Sequence, residues 1–497
     1  MKIKFLIFFL IASLSVQILF SCSPNNTNDV PTAENNGITE NTENIHDTID
    51  LGYQEDLPKD IRYDGMTLTI ATQGNGTDTS ATATDIAREE MSGEPINDAI
   101  WIRNDAIRNK YGVTIGMLLE QTPETLRRNI TSGTHAFDAI WFTMSNAGNV
   151  AQHGFLLDLL ELPYLNLGKK YWDQAVTRDL SIGGKIFYAT GDISIVDNDF
   201  TWAVCFNKKM VNDYNLPNLY ELVRSGEWTL DNFNDIIKDI SRDLNGDGIF
   251  DENDMYGLAT YIDTITGLFY ASDLRWVSKD ANGMAQLNTF DTAKMQYVLE
   301  KCINIMREEN STMITQDYID KLGGWNAIMA TRNAFVEDRA LFYSEVIYHV
   351  RTLREMNTDF GILPLPKYDA AQKNYNTFVH PVSIVLSVPV DCHDKEFTGL
   401  IIEALAAESA RTLTPAYYDI SLVIKGTRDE ESVEMLDILL QNRSYDIGLI
   451  YEFGSLPTLF RNLVDKKENT LASMLEKNSS KAYNAIENFN KQFENIK

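Results

Sequence analysis

The sequence predicts an α/β protein built as two lobes, and three observations carry that expectation. The body of the chain beyond residue 60 exceeds the size at which one hydrophobic core stops growing, so two lobes are expected. Its opening stretch alternates strand and helix patterns, which implies helices packed on a parallel sheet. Short strand-like runs then return late in the chain, at Ala340–Tyr343 and Phe360–Leu363, after long helical sequence.

The elements follow from local signals. Met66–Thr72 alternates as a strand. Pro95–Tyr111 carries Ile96, Ile100 and Ile107 at helical spacing and stops at Gly112. Val113–Ile115 reads as a second strand. Thr122-Pro123-Glu124 is an N-cap with proline at the first helical position, and Asp138–Phe142 is a third strand. After Asp192 a further strand is expected over Asp199–Asn207, then mostly helical sequence through Met306. Phe378–Val388 is strand-like but interrupted by Pro381, and the remainder reads as helical, with a capping box at Thr427-Arg428-Asp429-Glu430. There is no internal repeat.

The N-terminus has a different character. Lys2 and Lys4 precede an apolar run from Phe5 to Phe20, which is too short for a membrane span and ends at Ser21-Cys22. Leu19-Phe20-Ser21-Cys22 resembles the bacterial lipobox, in which the cysteine is acylated and becomes the first mature residue. The resemblance implies a signal peptide over 1–21, lipidation at Cys22 and location on the extracytoplasmic face of the bacterial cell membrane. Each acyl methylene buried contributes about 0.8 kcal/mol, so two or three chains would anchor a soluble body stably. Residues 22–60, rich in Asn, Thr, Asp, Glu and Pro, bury too little to offset ordering entropy and read as a tether.

The 43 basic residues stand against 71 acidic ones, a net charge of −28, and losing a leader with Lys2 and Lys4 makes the body more acidic still. That excludes nucleic acid as a partner and reads as a solvated surface. Besides Cys22 there are Cys205, Cys302 and Cys392, an odd number that implies no disulfide framework, with room for one bridge. Cys205 and Cys302 sit in apolar patterns and read as buried thiols.

Several stretches together are similar to the extracellular solute-binding proteins of the maltose-binding type. These are Phe137–Ile140 through Asn146, Ala151–Leu159, Gly184–Ala189, Phe206–Met210, Gly226–Leu230, Tyr256–Leu258, Phe360–Pro366 and Tyr417–Ile420. The resemblance implies a periplasmic-binding-protein-like fold with a hinge and an interlobe cleft, lobe one being 61–192 with 377–425 and lobe two 193–376 with 426–497. It implies a monomer that captures a small solute, a carbohydrate first of all, and delivers it to the permease subunits of an ABC importer.

Such a cleft needs aromatic faces and convergent polar groups, because sugar rings offer apolar faces with hydroxyl rims. Ligands of open α/β sheets sit beyond the carboxyl ends of strands, which selects Gln73 and Asn75 after the first strand and Phe142, Ser145 and Asn146 after the third. Ser145 stands near where the maltose-type proteins carry a sugar-binding acidic residue, a departure from their pattern. Asn198, Asp199 and Trp202 follow the first crossing. Ser344, Glu345 and Tyr348 fall where the family often places a stacking aromatic, and His380 precedes Pro381 at the return crossing. Trp141, Trp228 and Trp325 read as packing residues.

The most specific local motif is Asp243–Asp254. Oxygen-bearing side chains at Asp243, Asn245, Asp247, Asp251 and Asp254, the Ile249 carbonyl, and Gly246 at the sharp turn match an EF-hand-type loop, an expected structural calcium site whose last ligand is Asp in place of Glu. Signatures of zinc proteases, serine hydrolases and P-loops are absent, and the six histidines are scattered. A binding protein rather than an enzyme is therefore expected. The alternatives are a surface glycoside hydrolase using a carboxylate pair and a solute-sensing lipoprotein.

Overall fold

The computed structural model describes residues 56–74, 85–308, 310–418 and 430–496. The leader, Cys22, nearly all of the expected tether, Asn75 and residues 427–429 of the expected capping box lie outside them. Among the described residues no helix is long and apolar enough to cross a membrane.

In chain order the strands are β1 (Thr67–Thr72), β2 (Thr114–Leu118), β3 (Ala139–Thr143), β4 (Trp202–Asn207), β5 (Tyr256–Thr260), β6 (Val277–Lys279) and β7 (Ala285–Leu287). They continue with β8 (Thr312–Ile314), β9 (Ala340–Val346), β10 (Phe360–Leu363), β11 (Thr377–Phe378), β12 (Ile384–Ser387) and β13 (Arg443–Ser444). One sheet has the order β12-β3-β1-β2 and the other β10-β4-β9-β5-β8, while β6-β7 and β11-β13 form small pairs. Both large sheets belong to one compact unit.

The first sheet follows the local signals closely. β1 is parallel to β2 and β3, with Ile70 opposite Met117 and Ala139. The helix Pro95–Tyr111 starts where the Glu94 side chain accepts from the Asn97 amide and stops at Gly112, whose φ of 75° suits the left-handed C-cap. The helix Pro123–Ser132 carries a reciprocal Thr122–Thr125 capping box. β12 closes this sheet antiparallel to β3, with Ile384 opposite Thr143. It therefore draws on two stretches of chain separated by the whole of the second sheet.

In the second sheet β5 runs parallel to β8 and β9, whereas β4 runs antiparallel to β9 and β10. The structure corrects the sequence reading here. The expected strand over Asp199–Asn207 begins only at Trp202, after a short helix over Val196–Asp199. β5 and the β6-β7 hairpin interrupt the stretch expected to be helical through Met306. All five residues of β5 are buried, so the strand lacks the alternation that would mark it. Gly257 lets it lie against the preceding helix, since a Cβ there would stand 2.3 Å from the Ile237 carbonyl oxygen. Phe378–Val388 divides around Pro381 into β11 and β12.

The chain crosses between the sheets through 190–201 and 364–383, and β13 pairs with β11 beside these crossings. Buried charge fixes them. Arg443 Nη1 donates to Asp197 (2.9 Å) and Asn198 (2.8 Å), and its Nη2 meets Asp173 at 3.0 Å. Arg351 Nη1 holds both Asp199 oxygens at 2.8 and 2.9 Å, and Tyr417 donates to the same carboxylate at 2.8 Å. The long helix Leu471–Glu494 packs on β7 and on the helix Leu456–Asp465. It also meets the first lobe, where the Phe187 and Phe493 rings lie 5.4 Å apart and Lys185 Nζ donates to the Ile496 carbonyl at 2.6 Å.

Cys205, Cys302 and Cys392 are free thiols, the first two buried. Trp141 and Trp228 are buried as expected, but Trp325 is 67% exposed and is not a packing residue.

Candidate functional site

The carboxyl ends of β1 and β3 and those of β5 and β9 meet across the crossing segment Val379–Ser383. On the first lobe, Thr143 ends β3 and caps the helix Met144–Gln152, its hydroxyl accepting from the Asn146 amide. Asn146 Nδ2 donates to Gln73 Oε1 at 2.9 Å, and the Thr143 amide reaches the same oxygen at 3.4 Å. Gln73, at the end of β1, thus ties two strand ends together. The Met144 and Ser145 amides donate to the carbonyls of Ser383 (2.9 Å) and Pro381 (3.4 Å), so this lip rests on the crossing segment. The Ser145 side chain is exposed.

On the second lobe, Asp263 follows β5 and is paired with Arg461 at 2.6 Å from the helix Leu456–Asp465. His380 Nε2 stands 3.9 Å from the other Asp263 oxygen. Because His380 Nδ1 accepts from the Val382 amide at 3.2 Å, its proton is placed on Nε2, facing Asp263. Burial pushes this imidazole below its usual range. Gln316, beyond β8, accepts from the Ile262 amide at 2.8 Å and steadies the loop that carries Asp263.

Glu345, next to the end of β9, is the unusual group. It is 8% exposed and accepts one amide hydrogen bond, from Val346 at 3.0 Å. Burial first, and nearby Asp263 second, push its carboxyl up to about 8. Its surroundings thus favour the uncharged acid, which can donate a hydrogen bond as well as accept one. Tyr348 is half-buried on the short helix that follows, its ring edge-on to His349 at 5.2 Å.

Gln73, Ser145 and Asn146 thus share one lip, and Glu345, Tyr348 and His380 lie on or beside the other. The remaining expected cleft residues are placed differently. Phe142 is buried between β1 and β12. Asn198 serves Arg443 and Asp199 serves Arg351, so both are structural. Trp202 is 1% exposed, its indole N–H donating to Ser344 (3.0 Å) and Thr264 (3.2 Å), and it supports His380 from below with ring centroids 6.2 Å apart. Sequence reasoning missed Asp263, Gln316 and Arg461. The strand-end rule would have found the first two had β5 and β8 been recognised.

The lobes meet closely beside this site. A cavity of about 10 Å³, room for about one water, remains between Met144 of the first lobe, Tyr270 of the second and Phe378, Pro381 and Ser444 of the crossings.

The Asp243–Asp254 loop lies in the second lobe, away from this seam. Asp243 accepts from the Gly246 and Gly248 amides, both at 2.7 Å, and these donors hold its carboxyl below the usual range. Asn245 accepts from Asp247 N, Asp247 from Ile249 N and Asp251 from Asn253 N. Buried Asp254 closes the loop by accepting from Leu244 N and Asp251 N. Among the described residues no three Asp, Glu, His or Cys side chains converge as a metal cage.

The raised Glu345 acid has a measurable consequence. Its folded-state pKa lies above the unfolded value, so the folded chain holds an extra proton between about pH 4.5 and about 8. Stability should fall as pH rises through that window. Glu345→Gln, which does not titrate, is expected to flatten this part of the profile in urea unfolding and to be the more stable form above it. Equal slopes for parent and variant would show that Glu345 is not the titrating group.

No protein-family model matches the chain, and no curated protein matches it in sequence. Solved structures do match. UspC of M. tuberculosis superposes with a TM-score of 0.55 at 14% identity, covering 84% of this chain and 100% of that one. An ABC substrate-binding protein from Listeria monocytogenes, in complex with cycloalternan, gives 0.51 at 11% identity over 87% and 100%. The maltose-binding protein MalE of Listeria monocytogenes, in complex with maltose, gives 0.51 at 13% identity over 86% and 97%. The chain has the two-lobed α/β fold of the ABC solute-binding proteins.

Proposed function

We propose that this chain is a solute-binding protein that takes a carbohydrate between its lobes and delivers it to the permease subunits of an ABC importer. The observation that carries this reading is the pair of polar lips at strand ends, Gln73-Ser145-Asn146 and Glu345-Asp263-His380, facing each other across one crossing segment. Neither lip alone can surround a solute. The likeness in fold to sugar-complexed binding proteins supports the ligand class. Binding without chemistry is the corresponding activity.

A ligand shifts a conformational equilibrium only through its differential affinity for the two states. Contacts completed on closure would therefore favour the closed form, the form a permease can distinguish. Delivery also requires the protein to stand at the membrane, and lipidation at Cys22 with a tether up to residue 60 supplies that. In the same reading the Asp243–Asp254 loop takes calcium as a structural staple of lobe two, through Asp243, Asn245, Asp247, Asp251, Asp254 and the Ile249 carbonyl.

Three outcomes are expected. A thermal-shift panel of sugars identifies a ligand, which then lowers the radius of gyration in small-angle scattering. Asn146→Ala and Tyr348→Ala each weaken its binding by about 1–3 kcal/mol. A constant radius at saturation, with both variants binding normally, rejects closure between these lips. Cys22→Ser should move the protein from the membrane to the soluble fraction with sugar binding intact, and equal fractionation would defeat the anchor. Chelation should lower the melting temperature reversibly, with Asp243→Ala abolishing the calcium response; a parent protein indifferent to calcium returns the loop to a plain acidic turn.

A further inference from the structure

In a chain of net charge −28, one hollow is lined by cations with donors to spare. This pocket, of about 270 Å³, lies between the helix Gln174–Leu180 of the first lobe, the stretch leading through β6 of the second, and the residues that follow β13. Arg178, Arg275 and Lys279 line it. Tyr445 and Asp446 border both this pocket and the small cavity at the seam, and so form a wall between the two. None of its lining residues belongs to either lip.

The acids around it are already filled. Asp179 accepts from Arg178 Nε and Nη2 at 2.7 and 2.8 Å and from the Tyr445 amide at 3.1 Å. Asp446 accepts from the Gly448 amide at 2.6 Å, the Trp276 amide at 2.8 Å and the Tyr270 hydroxyl at 3.0 Å. The cations are less fully engaged. Arg275 Nη1 donates to the Tyr270 and Leu274 carbonyls at 3.2 and 2.6 Å, and its guanidinium stands 5.2 Å from the Tyr270 ring centroid. These contacts hold the group and leave its Nε–Nη2 edge, which presents two parallel N–H donors, without an acceptor among the described residues. Lys279 Nζ donates to the Arg178 carbonyl at 2.6 Å and the Ser181 hydroxyl at 2.8 Å, both uncharged, and keeps a third proton. Burial pushes this ammonium down to about 8, Asp179 draws it up, and the Arg178 charge pushes it down again.

A fixed guanidinium fork beside an ammonium selects a ligand with negative charge and several acceptor oxygens. A phosphate group brings about two charges and three strong acceptors at neutral pH. The hollow has the volume of about nine waters, which leaves room for a small organic body beside that group. We propose that this pocket is a second binding site, separate from the lips, for a phosphate group, free or carried by a small molecule. Arg275 grips two of its oxygens, Lys279 supplies a point charge, and Arg178 Nη1 reaches it from the first lobe. The site stands whether or not a sugar binds between the lips.

Isothermal titration and thermal melts of the full chain with inorganic phosphate, glycerol phosphate, acetate and chloride, at matched ionic strength, test it. The two phosphates should bind and raise the melting temperature where acetate and chloride do not, and the tighter of the two shows whether the group comes free or carried. Arg275→Lys, which keeps the charge and loses the fork, and Lys279→Gln should each weaken phosphate by about tenfold, the loss of one charge-assisted contact. Arg178→Gln, at an exposed side chain, should weaken it as well and keeps the comparison open if either of the others disturbs the fold. Equal effects of all four anions, or equal phosphate affinity in the parent and every folded variant, would overturn the proposal and leave the carbohydrate reading untouched.

Discussion

The arrangement of the two lobes depends on one buried cation. Arg443 lies where the crossings run side by side, and its guanidinium is shared by Asp197, Asn198 and Asp173. An unpaired charge at such a depth would cost several kcal/mol, so the segments that carry its partners have little freedom to sit elsewhere. Tyr445, two residues on, donates to Asp173 as well and draws β13 against the helix Gln174–Leu180. The register of β13 on β11 follows, with Arg443 opposite Thr377, and with it the path of the chain into His380 and Pro381. The floor of the cleft is thus set by electrostatics at the crossing rather than by the sheets it joins. The same constraint commits the Asn198 oxygen, while Arg351 separately holds the Asp199 carboxylate.

That commitment shapes the chemistry left at the seam. The chain carries a net charge of −28, yet the cleft is close to neutral. Burial favours the uncharged form of Glu345 and disfavours a charged His380, and the Asp263 carboxylate is matched by Arg461. A site of this kind recognises a ligand through hydrogen bonds of either polarity and does not need the ligand to bring a charge. Hydroxyl-rich solutes meet that condition better than polyamines or acidic peptides do. The acidity of the protein is spent on its solvated exterior, where it speaks to solubility.

How much of this was legible in the sequence varied with how local the signal was. The first three strands and their helices announce themselves through alternation, caps and a C-cap glycine, because each signal spans a few residues. β5 is invisible to the same reading, being buried throughout, and β8 and β13 are too short to show a period. Gln73, Ser145 and Asn146, which the strand-end rule selects, lie together at the ends of β1 and β3. Trp202 misled because an aromatic near a crossing resembles a ligand platform, whereas β4 lies between β10 and β9 with every residue covered. Arg461 reaches Asp263 from 198 positions away, and nothing near either residue predicts the pairing.

The helix Leu471–Glu494 and the residues after it bear on how the molecule comes to be folded. Lys185 and the Ile496 carbonyl are 311 positions apart in sequence, and Phe187 and Phe493 meet beside them. β12 likewise enters the first sheet only after the whole second lobe has been traversed. Closing such long loops is slow, because their entropy must be lost before the contacts form. The first lobe to leave a ribosome is therefore not the first to be complete. It stays open until segments from the far end of the chain arrive to close its sheet and cover its surface.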